Sequence, residues 1–315
     1  MSLGLYVVVG AAAVAYALTL LCTPTYLVHE RGVVLVTGAS SGIGRDAALH
    51  LAAKGYDVFA GVRKERDAQD LRETDKTERL HPVILDVTKE AHQDAVLEKV
   101  VQHMQRSNLP FVGLVNNAGV GGTGPVEYTD MDTFRWVMEV NFFGVVGLTK
   151  KFIPLALENQ GRIVSVSSVA GRLAWEFFGA YTSSKFALEA FSDSLRRELF
   201  YQGVSVSLIE PGFVMTPIFE KNNAAVDESF DHIPEDALVR YGAAKVRDSF
   251  NKGVELADST QVTSDVIYHS LNSPNPRSRY LCANIQGIPS SVAVPIFEAL
   301  PKAISDKLFY YMNRM

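Results

Sequence analysis

From residue 32 onward, short apolar runs alternate with amphipathic stretches. Val33 to Val36, Val58 to Val62, Val83 to Leu85, Phe111 to Val115, Ile163 to Val166 and Val204 to Ile209 are brief and almost wholly apolar. That is the pattern of strands buried on both faces. Between them, Gly42 to Lys54, Lys89 to Gln105, Met131 to Leu157 and Ala180 to Tyr201 repeat apolar positions at helical spacing. Strands joined by helical crossovers predict an α/β fold, a doubly wound parallel sheet of Rossmann type. The alternation is unbroken to about residue 215, so we expect one domain over 29–285 rather than two. From 216 to 258 the pattern loosens and Asn, Asp and Glu become common. We expect a loop over the ligand crevice there, with an ordinary polar surface excursion as the plainer alternative. Arg279 to Ala283 predicts a last strand. The tail, 286–315, mixes Ile296-Phe297, Leu300, Ile304 and Leu308-Phe309-Tyr310-Tyr311 with basic residues. It suits packing on the domain and lying on a membrane surface equally well.

The N-terminus departs from this pattern. No charged side chain occurs from Ser2 to Val28, and Leu3 to Cys22 is apolar but for Thr19. As a helix that run spans about 30 Å, the thickness of a bilayer core. A secretory signal needs a basic segment before it, and none is present. A buried core helix is a further alternative, weakened by the position of the run at the chain end. We therefore read 1–28 as a single membrane anchor ended by Pro24.

Composition narrows the rest. The net charge of −5 has none of the basic excess of a nucleic-acid binder. Cys22 and Cys282 define neither a disulfide framework nor a zinc spacing. The histidines, at 29, 50, 81, 92, 103, 232 and 269, show no pair at a metal-ligand interval, so no metal is expected.

Thr37-Gly38-Ala39-Ser40-Ser41-Gly42-Ile43-Gly44 lies between the first strand and the first helix. Glycines suit a tight turn that must approach a pyrophosphate closely, and the helix N-terminus adds N–H donors and partial positive charge. The second strand ends Gly61-Val62-Arg63-Lys64, without the carboxylate that would bind a ribose 2′-hydroxyl. Arg63 therefore favours NADP(H), while NAD(H) remains possible if Arg63 and Lys64 are merely solvated.

Tyr181 and Lys185 are spaced i, i+4 near the start of a helix, which places them on one face. A free Tyr has a pKa near 10, and a neighbouring ammonium favours the phenolate. Ser168 ends the fifth strand, whose carboxyl end faces the ligand crevice in such a sheet.

These residues carry a family resemblance. Thr37-Gly38-x-x-x-Gly42-Ile43-Gly44, Asp86-Val87, Asn116-Asn117-Ala118-Gly119, Asn141, Ser168, Tyr181-x-x-x-Lys185 and Pro211-Gly212 with Thr216 resemble the short-chain dehydrogenase/reductase pattern from about Arg31 onward. The resemblance implies hydride transfer with Tyr181 as acid/base. It implies that Ser168 orients the substrate oxygen, Asn141 holds a relay water in contact with Lys185, and Lys185 also holds the nicotinamide ribose. It assigns the cofactor to Thr37, Gly38, Ser40, Ser41, Gly42, Ile43, Gly44, Arg63, Asp86, Val87, Asn116, Ala118, Gly119, Tyr181, Lys185, Pro211, Gly212 and Thr216. Asp86 would meet the adenine, and Asn116 would steady the central strand.

The apolar N-terminus, Phe191-Ser192-Asp193-Ser194-Leu195-Arg196 and the Leu300-Pro301 tail are similar to a narrower branch. It contains retinol dehydrogenases, membrane-associated hydroxysteroid dehydrogenases and 3-hydroxybutyrate dehydrogenase. The expected substrate is a lipophilic alcohol/carbonyl pair of retinoid or steroid type. A 3-hydroxybutyrate-type activity with NAD and a non-catalytic cofactor-binding membrane protein are the alternatives. The resemblance also implies a homodimer through the two long helices, with burial inside one subunit as the alternative. The expected site is the endoplasmic reticulum membrane, with the mitochondrial inner membrane second.

Overall fold

A computed structural model of the 315-residue chain describes residues 24–216 and 233–312. The expected anchor helix therefore lies outside the described residues, as does part of the expected crevice loop. Strand β1 (Val33–Thr37) shows how the sheet is covered. Its side chains alternate between faces: Val33 and Leu35 enter one core, Val34 and Val36 the other. Each fully buried Val or Leu contributes roughly 1.5–3 kcal/mol. The remaining strands are β2 (Asp57–Val62), β3 (Leu80–Ile84), β4 (Phe111–Asn116), β5 (Arg162–Val166), β6 (Ser205–Pro211) and β7 (Arg279–Cys282). All seven pair in parallel in the order β3-β2-β1-β4-β5-β6-β7. This is the doubly wound sheet that the alternation predicts.

One face is covered by α1 (Gly42–Ala53) and α2 (Glu65–Thr74). The other is covered by α3 (Glu90–Ser107) and by a stretch that begins with α4 (Met131–Met138) and ends with α5 (Gly144–Asn159). It also carries α6 (Gly179–Leu199). Met131–Asn159 is long and apolar enough to cross a membrane by length and composition. Leu148, Phe152 and Ala156 are buried in the core instead, so the stretch is an internal element of the fold.

The structure differs from the sequence reading at four points. The stretch read as one helix from Met131 to Leu157 contains a π-helical turn, Glu139–Phe143. Such a turn leaves no mark in hydrophobic spacing. Helix α2 was missed because its stripe is narrow: only Ala68 and Leu71 of its ten residues are buried. Strand β3 begins three residues earlier than its apolar run, with Pro82 inside it. Its place at the sheet edge allows a residue without an N–H. Finally, residues 233–258 are not a loose excursion. They form α7 (Glu235–Tyr241) and α8 (Ala243–Glu255). Ala243, Val246 and Gly253 form the buried stripe of α8 between polar residues.

Helix α9 (Gln261–Asn272) precedes β7, and a two-stranded hairpin, β8 (Asn284–Ile285) with β9 (Ile288–Pro289), follows it. The described chain then ends with α10 (Ser290–Ala299) and α11 (Lys302–Met312). Phe297 and Phe309, 4.8 Å apart, pack with Trp175 over a third cluster containing Leu173, Ile285 and Val294. Val292, Ile296, Ile304, Leu308, Tyr310 and Tyr311 face outward. Residues 24–29 lie against the strand starts. Tyr26 N donates to Pro274 O at 2.8 Å, and the buried Arg162 donates to Leu27 O at 2.8 Å.

Candidate active site

The chain order β1-β2-β3 runs to one side of β1, and β4 onward runs to the other. The carboxyl ends of β1 and β4 therefore flank a crevice, the usual ligand position in such a sheet. A cleft of about 500 Å³ opens there. Its nucleotide end is built by the turn after β1. Gly38 has φ +68°, and a Cβ on it would lie 2.8 Å from Ala118 Cα. A Cβ on Gly44 would lie 2.3 Å from Asn117 Nδ2 and 2.4 Å from Gly38 O. Only glycine lets α1 press this closely on the turn. Ser41, at the N-cap of α1, makes no side-chain capping bond, and the first turn holds no acidic residue. The positive end of the helix is thus left uncompensated toward the cleft, which suits a pyrophosphate.

Gly38, Ser40, Ser41, Gly42, Ile43, Gly44, Arg63, Asp86, Val87, Ala118, Gly119, Ser168, Tyr181, Lys185, Pro211, Gly212 and Thr216 all line this one cleft. Thr37, Asn116 and Asn141 sit behind its wall. Thr37 Oγ1 accepts from Asn117 N and Ala118 N, each at 2.9 Å. Asn116 Nδ2 donates to Thr149 Oγ1 at 2.9 Å, joining β4 to α5. Asn117 stands in the sequence pattern without a role of its own. Its Nδ2 donates to Thr37 O at 2.9 Å and stitches the ends of β1 and β4 together. Two adjacent amides in a sequence give no sign of which one faces the turn. Asp86 is drawn upward by burial, but the Thr88 hydroxyl and N–H, with Lys89 and Arg63 nearby, outweigh this and hold its carboxyl below the usual range.

The chemical end is held by α6. Tyr181 lies in its first turn and Lys185 one turn later, with Lys185 Nζ 5.7 Å from the Tyr181 ring centre. Lys185 Nζ donates to Val166 O at 2.9 Å. Burial lowers its pKa to about 8, against a smaller opposing pull from Glu189. Burial raises the Tyr181 phenol above its ordinary value, and the Ser168 hydroxyl works the other way. The phenol therefore holds its proton more firmly than a free tyrosine does. Ser168 Oγ accepts from Ala170 N at 3.1 Å and so is fixed by the turn that follows β5.

Asn141 is wholly buried within the π turn. Its Oδ1 accepts from Val120 N at 2.8 Å, and its Nδ2 donates to Val120 O and to Ser184 Oγ, each at 3.0 Å. Ser184 Oγ donates in turn to Tyr181 O at 2.7 Å. One amide thus joins the β4 loop, the π turn and the Tyr181 helix. Behind Lys185, buried Glu189 and Glu210 share Arg279, which bonds Glu210 at 2.6 Å and also pairs with Glu189. Burial and Glu210 push the Glu189 carboxyl up to about 7.

The cleft lining also carries Trp136, Val140, Trp175, Phe178, Phe213 and Phe250, of which Phe178 and Phe213 pack on Phe250. The sequence singles out none of these, because aromatic residues scattered over several elements share no spacing. Among the described lining residues the only cations are Arg63 and Lys185.

A glycine-rich turn at a helix start, a Tyr-Lys pair at the sheet's carboxyl edge and this topology define a nicotinamide-dependent oxidoreductase. The chain belongs to the short-chain dehydrogenase family, whose model, described as short chain dehydrogenase, matches residues 32–227. It is 35% identical over 292 residues to the mitochondrial D-beta-hydroxybutyrate dehydrogenase of Rattus norvegicus, covering 88% of this chain and 83% of that one. It is 38% identical over 256 residues to retinol dehydrogenase 5 of Mus musculus, covering 78% and 79%. Among solved structures it resembles an actinorhodin polyketide ketoreductase with NADPH, with a TM-score of 0.65 and 27% identity, covering 81% and 96%.

Proposed function

We propose that this oxidoreductase transfers a hydride between NADP(H) and a lipophilic alcohol/carbonyl pair of retinoid or steroid size. The observation that carries this reading is the aromatic lining of the cleft, where Trp175, Phe178, Phe213 and Phe250 gather. A short hydroxy acid is held most strongly by a cation at its carboxylate. Among the described lining residues only Arg63, at the nucleotide end, and buried Lys185 carry one. Retinol dehydrogenase 5 supports the lipophilic reading by its name, and D-beta-hydroxybutyrate dehydrogenase supports the other.

The residues present fit a dinucleotide: the turn has room only because Gly38 and Gly44 lack a Cβ, and α1 presents an uncompensated positive end. Gly38 to Gly44 would hold the pyrophosphate, Asp86 the adenine, Lys185 the ribose and Thr216 the carboxamide. Arg63, at the end of β2 where no carboxylate stands, would pair with a 2′-phosphate. When bound, this cofactor gives the hydride in reduction and takes it in oxidation. Tyr181 Oη gives its proton to the substrate oxygen in reduction and removes one in oxidation. Ser168 Oγ orients that oxygen. The Lys185 ammonium favours the phenolate that oxidation needs. Asn141, its side chain committed to Val120 and Ser184, positions the loop and helix that carry these groups.

The same reading places the protein on a membrane, with α10–α11 touching lipid through Ile296, Ile304 and Leu308 and the apolar run before Pro24 as anchor; the expected boundary at 28 moves back because residues 24–28 pack on the strand starts. The endoplasmic reticulum is the proposed compartment and the mitochondrial inner membrane the second. Phe143 and Phe186, exposed on the long helices, would meet across a homodimer. Tyr181→Phe tests the core of the proposal. It should keep NADPH binding and lose reduction of retinaldehyde by roughly 10²–10⁴-fold. Full activity in that variant would overturn the assignment.

A further inference from the structure

At the end of the sheet away from the cleft, three side chains from three elements converge. Asp57 opens β2, His81 lies in β3, and His103 lies near the end of α3. Their possible ligand atoms all lie within 4.8 Å of one another. His103 Nε2 is 2.8 Å from Asp57 Oδ2, and His81 Nε2 is 3.9 Å from the same oxygen. Arg79 holds the other oxygen, Oδ1, at 2.8 Å, which leaves Oδ2 turned to both imidazoles. Phe59 packs on the two rings at 5.3 and 5.4 Å, fixing them from one side. His81 Nε2 is buried and has no hydrogen-bond partner among the described residues. A cation at this point would give that nitrogen the partner it lacks.

We propose that Asp57, His81 and His103 form a structural divalent-metal site of zinc type at the amino-terminal edge of the sheet. Two imidazole nitrogens and one carboxylate oxygen suit zinc, whereas calcium and magnesium take oxygen sets. Tetrahedral zinc with ligands at about 2.0–2.2 Å places neighbouring donors roughly 3.3 Å apart. The 2.8 and 3.9 Å separations lie on either side of that value. A metal at Nε2 replaces the hydrogen bond between His103 Nε2 and Asp57 Oδ2. The two imidazole side chains are partly exposed, and a water would complete a tetrahedral set. The metal joins the edge strand β3 to β2 and α3, far from Tyr181, and stabilises the sheet edge without entering the reaction. Sequence spacing hides the site: the ligands stand 24 and 22 residues apart on separate elements.

The test is titration of the untagged, metal-stripped full chain in detergent with Zn²⁺ alone and with Co²⁺ alone. We expect one equivalent of zinc, a four-coordinate cobalt spectrum and a raised melting temperature. His103→Gln, which keeps an amide donor for Asp57, and His81→Gln are the variants. Outer-shell partners alone are worth about 10–100-fold in metal affinity, so each ligand loss should weaken binding at least that much. NADPH binding, unchanged in both, shows that they fold. Absence of stoichiometric binding would overturn the proposal, as would equal zinc affinity in the folded variants.

Discussion

At the scale of single residues, the site is governed by burial. Lys185 is held as a cation in a dry place, with its pKa lowered to about 8. Its unfolded value is higher, so between the two the unfolded chain binds more protons. Burial of this cation therefore costs stability below about pH 8, and the cost is relieved as the pH rises through that value. On the proposed mechanism function runs the opposite way, because the ammonium is the form that would support Tyr181. We predict that kcat/KM for NADPH, which reports the free enzyme, is level near neutrality and falls above about pH 8. A profile level through pH 10 would contradict the role given to Lys185. Arg63→Asp should raise KM for NADPH by about tenfold or more, the worth of one charge-assisted bond, and spare NADH. Equal effects on both cofactors in steady-state kinetics would remove Arg63 from cofactor selection. Gly38, Tyr181 and Lys185 were legible in the sequence because each has a type and spacing that its chemistry demands. Asn117 was not, since nothing in an Asn-Asn pair tells which amide stitches the strand ends and which faces α5.

At the scale of elements, turns and breaks matter more than lengths. The π turn Glu139–Phe143 puts Asn141 where one amide serves Val120 and Ser184. Single π turns inside helices are frequent at functional sites. Asn141→Ala leaves the Val120 N–H and carbonyl unpaired, at about 1–3 kcal/mol for each such buried group. We expect a lower melting temperature together with lower kcat. A melting temperature unchanged by calorimetry would show that the amide is dispensable to the fold. Gly44→Ala forces a Cβ to within 2.3 Å of Asn117 Nδ2. It should destabilise by roughly 1–3 kcal/mol and weaken dinucleotide binding, checked by fluorescence titration with NADPH. The strands were readable because a brief, wholly apolar run between amphipathic stretches suits a strand covered on both faces and little else. The π turn, α2 and the edge start of β3 were not, because none changes the period of hydrophobic residues enough to be seen.

At the scale of the whole molecule, a dinucleotide sheet, an aromatic cleft lining and an outward apolar face on α10 and α11 belong to one chain. Residues 24–29 pack on the strand starts, with Leu27 O accepting from buried Arg162. A deletion meant to remove the proposed anchor must therefore stop before Pro24. Removing residues 2–22 should release the protein from membranes in a carbonate-washed fraction while NADPH binding persists. Retention on the membrane would shift the attachment to the tail. The broad class was legible from strand-helix alternation and the Tyr-Lys pair together, while the aromatic lining of the cleft is assembled from elements too far apart to recognise in sequence. The most direct test of the central claim is the rate of NADPH and of NADH oxidation by the solubilised chain with retinaldehyde, a 17-ketosteroid and acetoacetate in parallel. The account predicts faster turnover with NADPH and with one of the bulky carbonyls. Turnover confined to NADH and acetoacetate would contradict it.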